Sequence, residues 1–363
     1  MDRSDRSLLG ILFAALGAVF LLVGCNKGSS GAPAPAASSA AKAEAADTTI
    51  TLQGSGASFP APLYSRWFRE YGAKNPNVRV NYQATGSGAG IKAFTAGQTD
   101  FGASDAAMTD DEIKAAQGNV VLLPMTAGHI VLAYNLPDVK ELKLSREAYV
   151  GIFLGEVTKW NDAKIAKANP GMKLPATDIT PINRSDGSGT TFVFTQHLSA
   201  VSEKWKAGPG TGKSVNWPAK AAVGGAKNDG VAALIQRTPG AIGYIEFVYA
   251  ATSNQPTATL ENKAGKFVAP TPEGAAAALA HVELPEVLRA WVTDPAGDDA
   301  YPIATYTWIL AKKKYAEKAK GDALKSMLKW CLADGQKLST ELHFLALPET
   351  VTSRVIKAVD GIE

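Results

Sequence analysis

Three times this chain passes from a short apolar strand pattern, through a loop of glycine and small hydroxyl residues, into a helical pattern. No other feature of the sequence narrows the available folds as much. The loops are Gly54-Ser55-Gly56-Ala57-Ser58-Phe59-Pro60, Gly86-Ser87-Gly88-Ala89-Gly90 and Arg184-Ser185-Asp186-Gly187-Ser188-Gly189-Thr190. Strands alternating with helices predict an α/β architecture with mostly parallel sheets. Glycine lets the backbone come close to a ligand. Free N–H groups at a helix start, together with the helix dipole, favour an anion, and serine and threonine hydroxyls add donors. One such loop is as readily a plain turn. Three in one chain, one of them carrying Arg184, point to an oxyanion site.

The remaining pattern fits the same class. "TTITLQGSG" alternates as a strand, and Leu63, Trp67 and Tyr71, spaced by four, mark one face of a helix that Asn75-Pro76 ends. Thr109 with Glu112 three residues on has the pattern of a capping box. "VVLLPMT" and "HIVLAYNL" read as two strand runs, and "KGDALKSMLKWCLADGQKLS" as one long helix that buries Cys331 as a core thiol. Asp105, in "DFGASDAAM", sits in a small-residue loop after a short strand; alone it reads as an N-cap or turn residue. No repeat of solenoid period is present.

The N-terminus has a different character. Arg3 and Arg6 precede an apolar run, Leu8 to Val23, that fits a signal-peptide core and sets residues 1–24 aside. Leu22-Val23-Gly24-Cys25 looks like a bacterial lipobox, which implies a lipid on Cys25. Gly28 to Asp47 has no aromatic or branched aliphatic residue, so residues 25–47 read as a lipidated cysteine and a disordered tether. With Cys25 acylated, Cys331 is the one remaining cysteine, and no intramolecular disulfide is possible.

Several function classes fall away. A formal charge of +3 without a dense Lys/Arg run gives no nucleic-acid footprint. The histidines His129, His197, His281 and His343 form no metal-binding motif, and neither metal nor cofactor is expected. "AGPGTGKS", Ala207 to Ser214, lacks the first glycine of a P-loop and runs into "VNWP" instead of a helix, so it reads as a surface loop. "GASDA" at Gly102 does not meet the nucleophile-elbow pattern, and the chain is expected not to be an enzyme.

Five segments, "GSGASFPAPLYSRW", "NYQATGSGAGIKAF", "DFGASDAAMTDDE", "RSDGSGTTFVF" and "KNDGVAALIQRTPGAIGYIE", resemble the phosphate-binding proteins of bacterial ABC phosphate importers. They occur in the same order from about Thr48 to the C-terminus. The resemblance implies a type II, two-lobed periplasmic-binding-protein fold with the ligand in the interlobe cleft. It implies that the chain crosses twice between lobe 1, residues 48–125 plus 298–363, and lobe 2, residues 126–297. For phosphate it implies donors from Ser58, the Phe59 backbone, Ser87, Arg184, Ser188, Gly189 and Thr190. Asp105 would accept the phosphate proton, and Asp186 would hold Arg184. The implied partners are inorganic phosphate, ABC permease subunits, and a membrane reached through the lipid anchor. The implied state is a monomer in the periplasm or at the cell surface.

Elementary chemistry supports a choice among anions. A buried carboxylate facing the ligand needs a donor opposite it; phosphate carries a proton at neutral pH and sulfate carries none. A site built around one such hydrogen bond rejects an analogue lacking it by roughly 10⁴-fold or more, because a buried polar group is left unpaired. The Arg184–Asp186 pairing would keep the arginine oriented and partly neutralised, so charge alone would not select the ligand. Two alternatives remain at this level: a binder of another tetrahedral oxyanion, such as sulfate or arsenate, and a phosphate-ester hydrolase.

Overall fold

A computed structural model describes residues 49–280 and 282–363; the expected signal segment, Cys25, the tether and His281 lie outside the described residues. The strands are β1 (Ile50–Gly56), β2 (Val78–Ala84), β3 (Phe101–Ser104), β4 (Val121–Tyr134), β5 (Lys143–Leu144), β6 (Thr180–Arg184), β7 (Val223–Gly225), β8 (Ala241–Glu246), β9 (Thr259–Glu261), β10 (Phe267–Val268) and β11 (Ala304–Ala311). The helices are α1 (Ala61–Lys74), α2 (Ser87–Thr95), α3 (Asp110–Ala115), α4 (Arg146–Leu154), α5 (Ala163–Ala166), α6 (Gly189–Val201) and α7 (Glu203–Ala207). They continue with α8 (Lys227–Arg237), α9 (Phe247–Thr252), α10 (Pro272–Leu279), α11 (Lys318–Leu332), α12 (Gly335–Glu341) and α13 (Glu349–Asp360).

Eight strands form one sheet in the order β2-β1-β3-β11-β4-β8-β6-β7, and β10-β9-β5 form a small second sheet. Pairing is parallel in each arm of the large sheet, β2-β1-β3 on one side and β8-β6-β7 on the other. At the centre β11 pairs antiparallel with β3 and β4, and β4 antiparallel with β8. The expectation of mostly parallel pairing thus holds in the arms and gives way where long strands pass between them.

The two runs read as separate strands are one. β4 has 14 residues, and its partner changes midway: Val121 to His129 lie along β11, and Ile130 to Tyr134 along β8. Gly128, in the gap between those two runs, makes room: a Cβ there would stand 2.9 Å from Cζ of Phe59. Conversely, the long C-terminal helix is two helices, interrupted at Ala333-Asp334. There the Trp67 indole donates to the Gly335 carbonyl at 2.6 Å, tying α1 to the start of α12.

The sequence-level helix signals reappear in detail. Leu63, Trp67 and Tyr71 are all buried along α1. The Thr109–Glu112 capping box is complete, satisfying two otherwise orphaned N–H groups of α3. Cys331 is fully buried in α11, and burial raises its thiol pKa, consistent with an inert core residue. Among the described residues no helix is long and apolar enough to cross a membrane.

Candidate functional site

Each of the three loops leaves the end of a parallel strand and enters a helix. β1 leads through Ser58 and Phe59 into α1, β2 through Gly86 into α2, and β6 through Asp186 and Ser188 into α6. The fourth segment, at the end of β3, delivers Asp105. Ser87 is the first residue of α2; its preceding Gly86 has φ +92°, which side chains disfavour. Ser188 caps α6, its hydroxyl accepting from the Thr191 N–H at 3.0 Å.

The loops meet. The Gly88 N–H donates to the Gly187 carbonyl at 2.8 Å, joining the second loop to the third. The Asp105 N–H donates to Ser87 Oγ at 3.2 Å, and Ser87 Oγ lies 3.5 Å from Asp105 Oδ2. A Cβ on Gly189 would stand 2.5 Å from Ser87 Oγ and 2.8 Å from both N and Cβ of Asp105. No side chain larger than hydrogen fits there without backbone movement. Arg184 holds Asp186 through two bonds, Nε to Oδ1 at 2.8 Å and Nη2 to Oδ2 at 2.5 Å, and its Nη1 reaches Thr190 Oγ1 at 3.3 Å. This fork fixes the guanidinium plane. Asp186 Oδ1 also accepts from the Lys227 N–H at the start of α8.

The structure therefore brings Ser87, Asp105, Arg184, Asp186, Ser188, Gly189 and Thr190 together, with Ser58 joined to them through Asn228. Ser58, Ser87, Asp105, Arg184, Ser188 and Thr190 are all buried. Phe59 differs in kind. Its ring packs in the core against Phe344 at 6.2 Å and over Gly128, so only its backbone belongs to the loop.

Sequence reasoning passed over three residues here. Thr307, on β11, donates to Asp105 Oδ1 at 2.9 Å. Asn228, at the start of α8, donates to Ser58 Oγ from its backbone at 3.2 Å and from Nδ2 at 3.0 Å, and Nδ2 also reaches Thr190 Oγ1 at 3.3 Å. Tyr244, on β8, accepts the Arg184 N–H and shares a 2.7 Å hydrogen bond with Thr191 Oγ1. Asn228 could have been noticed as a polar residue at a helix start, two positions before Gly230. Thr307 lies in an alternating strand that carries no local signal.

Burial dominates the electrostatics. It raises the Asp105 carboxyl to about 7, although the Thr307 hydrogen bond, the Arg184 charge and the Ser87 hydroxyl pull the other way. For Asp186 burial also works upward, but the Arg184 hydrogen bonds and charge, with the Lys227 N–H, outweigh it and hold the group below its usual range. Two carboxyls a short distance apart are thus set to opposite behaviour: Asp186 is a fixed anion matched to Arg184, whereas Asp105 holds its proton up to near neutrality.

The glycine-rich segment around Ala207 to Ser214 is a loop after α7, as expected. It is not idle: the Lys213 carbonyl accepts the Ser188 N–H at 2.9 Å, and Lys213 Nζ pairs with Glu112 of α3 at 2.6 Å. Among the described residues no group of histidine, cysteine, aspartate and glutamate could hold a metal ion.

A two-armed sheet whose loops gather buried hydroxyl, amide and guanidinium donors around a buried carboxyl defines the class of two-lobed solute-binding proteins. The chain belongs to the PBP superfamily, whose domain model matches residues 38–334, and within it to the family of the PstS phosphate-binding proteins. It is 39% identical over 312 residues to phosphate-binding protein PstS of Xylella fastidiosa strain Temecula1, covering 85% of this chain and 84% of that one. It is 41% identical over 323 residues to PstS of Pasteurella multocida, covering 86% and 92%. The fold is similar to that of a high-affinity periplasmic phosphate-binding protein, PfluDING, solved with phosphate bound: TM-score 0.71, 20% identity, 84% of this chain and 93% of that one. It is also similar to a phosphate-binding protein from Stenotrophomonas maltophilia, with TM-score 0.67 and 17% identity over 85% and 93%.

Proposed function

We propose that this chain binds inorganic phosphate outside the cytoplasmic membrane and hands it to the permease of an ABC importer. The observation that carries this reading is Asp105: a buried carboxyl, held at about 7, lies among groups that are otherwise donors. Once Asp105 is ionised, a ligand there must offer acceptor atoms on most sides and one proton toward the carboxylate, which describes protonated phosphate. Ser58, Ser87, Ser188 and Thr190 supply hydroxyls, Phe59 and Gly189 backbone N–H groups, and Arg184 a guanidinium aligned by Asp186. The names of the PstS relatives and the phosphate held by a solved neighbour support the same reading.

In this proposal residues 48–125 with 298–363 form lobe 1, residues 126–297 form lobe 2, and the lobes close around the ligand by a hinge motion. No chemical turnover accompanies binding. The mature chain is a monomer held at the membrane by a lipid on Cys25 after removal of residues 1–24. Replacing Cys25 with serine should release the protein from the membrane fraction; unchanged membrane retention would remove the lipid from the proposal.

Calorimetry with phosphate and sulfate at pH 9, where Asp105 is a carboxylate and phosphate still carries one proton, tests the central reading. Phosphate should bind and sulfate should bind at least about 10⁴-fold more weakly. Equal affinities would defeat phosphate specificity and leave a general oxyanion binder.

A further inference from the structure

We propose that Asn228 is a positioning residue that sets the direction of the Ser58 and Thr190 hydroxyls, so that each turns its proton, and not a lone pair, toward the bound anion. The proposal rests on the phosphate reading and deepens it. Asn228 itself is fully buried, and its role is exerted through the two hydroxyls.

A hydroxyl has one proton to donate and two lone pairs that accept. At Ser58 Oγ two donors arrive from the same residue: the Asn228 backbone N–H at 3.2 Å and its Nδ2 at 3.0 Å. At Thr190 Oγ1 two donors also arrive, Arg184 Nη1 and Asn228 Nδ2, each at 3.3 Å. In both cases the lone pairs are engaged by protein donors, and neither hydroxyl proton has an acceptor among the described residues. The one group each hydroxyl has left to offer is its O–H. A hydroxyl that already accepts hydrogen bonds is also polarised into a better donor.

One amide can serve both hydroxyls because Nδ2 carries two hydrogens. Its orientation is fixed from the opposite end, where Asn228 Oδ1 accepts the Glu246 N–H at 3.0 Å. Turning the amide over would set Nδ2 against that N–H, donor against donor, and would offer an acceptor to Ser58 and Thr190. Their protons would then point at Asn228 and not at the ligand. The strand end at Glu246 therefore determines, through one side chain, the polarity of two positions in the site.

The consequence is a division of labour. Ser58 and Thr190 demand acceptor atoms, and Asp105 demands a proton. The site thereby reads where the protons of the anion are, as well as its charge and shape. An oxyanion with a proton at the Ser58 or Thr190 position would face a donor with a donor, and the buried mismatch costs more than a lost hydrogen bond.

The test measures inorganic phosphate binding by calorimetry in Asn228→Leu, in Ser58→Ala and in the double variant, with Asn228→Asp as a second probe. Asn228→Leu should weaken phosphate about 30-fold in the otherwise native chain, and less than about threefold when Ser58 is already alanine, because much of its effect passes through that hydroxyl. A loss of equal size in both backgrounds would make Asn228 merely structural and overturn the proposal. Asn228→Asp keeps an acceptor for the Glu246 N–H, so the local fold is retained, but it has no side-chain donor for either hydroxyl. It should bind phosphate at least about 30-fold more weakly; affinity within about threefold of the native chain would overturn the role of Asn228 while leaving the phosphate reading intact. Native protein that binds no phosphate would instead overturn the phosphate reading and this inference with it.

Discussion

Asp105 carries two chemistries that pH can separate. Held at about 7, it is a carboxylic acid below that value and a carboxylate above it. As a carboxylate it repels sulfate, whose oxygens all bring lone pairs. As an acid it can donate, and the obstacle to sulfate disappears. Sulfate affinity should therefore rise about tenfold for each pH unit lowered between roughly 9 and 7, then level off. The Asp105→Asn variant, whose amide can donate at every pH, should bind sulfate with little pH dependence and discriminate poorly. Calorimetry from pH 6 to 9 reads both; a flat sulfate affinity in the native chain would mean that Asp105 does not govern selection. The same raised value affects folding. Asp105 holds its proton more tightly folded than unfolded, so its contribution, of order 4 kcal/mol, is full below the unfolded value of 3.8. It is lost as pH rises through about 7, and Asp105→Asn should flatten this part of the stability profile in thermal melts.

At the scale of elements, the decisive fact is how closely the start of α6 approaches the loops of the opposite arm. Gly189 is required by that approach, since a Cβ would lie 2.5 Å from Ser87 Oγ and 2.8 Å from Asp105 backbone nitrogen. Backbone cannot yield as a flexible side chain can. Gly189→Ala should force the third loop away from Ser87 and Asp105 and weaken phosphate binding at least about 100-fold, for a displacement of near 1 Å is enough to spoil such a site. Its melting temperature should stay close to native, since the clash lies between loops and not within either arm's core. Near-native affinity would show that the contact can relax. How much of this was legible in the sequence divides along physical lines. Local signals survived: the Thr109–Glu112 box, the buried face of α1 and the Ser188 start of α6 are set by neighbours a few residues away. Signals that depend on distant partners did not. The two runs of β4 read as separate because nothing nearby announces the Phe59 ring beside Gly128, and the break between α11 and α12 lies where Trp67, far away in the chain, bonds Gly335. Thr307 escaped for the same reason, being defined by the Asp105 carboxyl it touches, and the local signal at Asn228 did not announce its partners Ser58 and Thr190.

For the whole molecule, the proposed hinge motion turns on what holds the arms together. β4 passes between the arms, paired first to the central β11 and from Ile130 to β8, so the connection is continuous strand and not slack loop. Away from that strand, contacts between the arms at the site include the Gly88–Gly187 backbone bond, the Asn228–Ser58 bonds and the Lys213–Glu112 ion pair at 2.6 Å. Of these three, the ion pair is removable by a side-chain substitution that touches no proposed ligand. Its side chains are 17% and 28% exposed, which puts it above the weakest surface pairs, at about 1 kcal/mol. In the proposed hinge closure the pair forms after the arms meet and serves as a latch, so Lys213→Ala should speed phosphate release about fivefold while leaving the association rate unchanged. Raising the salt concentration should narrow the difference between variant and native protein. Stopped-flow measurement of both rates distinguishes the alternative in which Lys213 attracts the anion from a distance. In that case association would slow and release would not change. Since Lys213 also lends its carbonyl to the Ser188 N–H, alanine is the right substitution: it removes the ion pair and keeps the backbone bond that positions the start of α6.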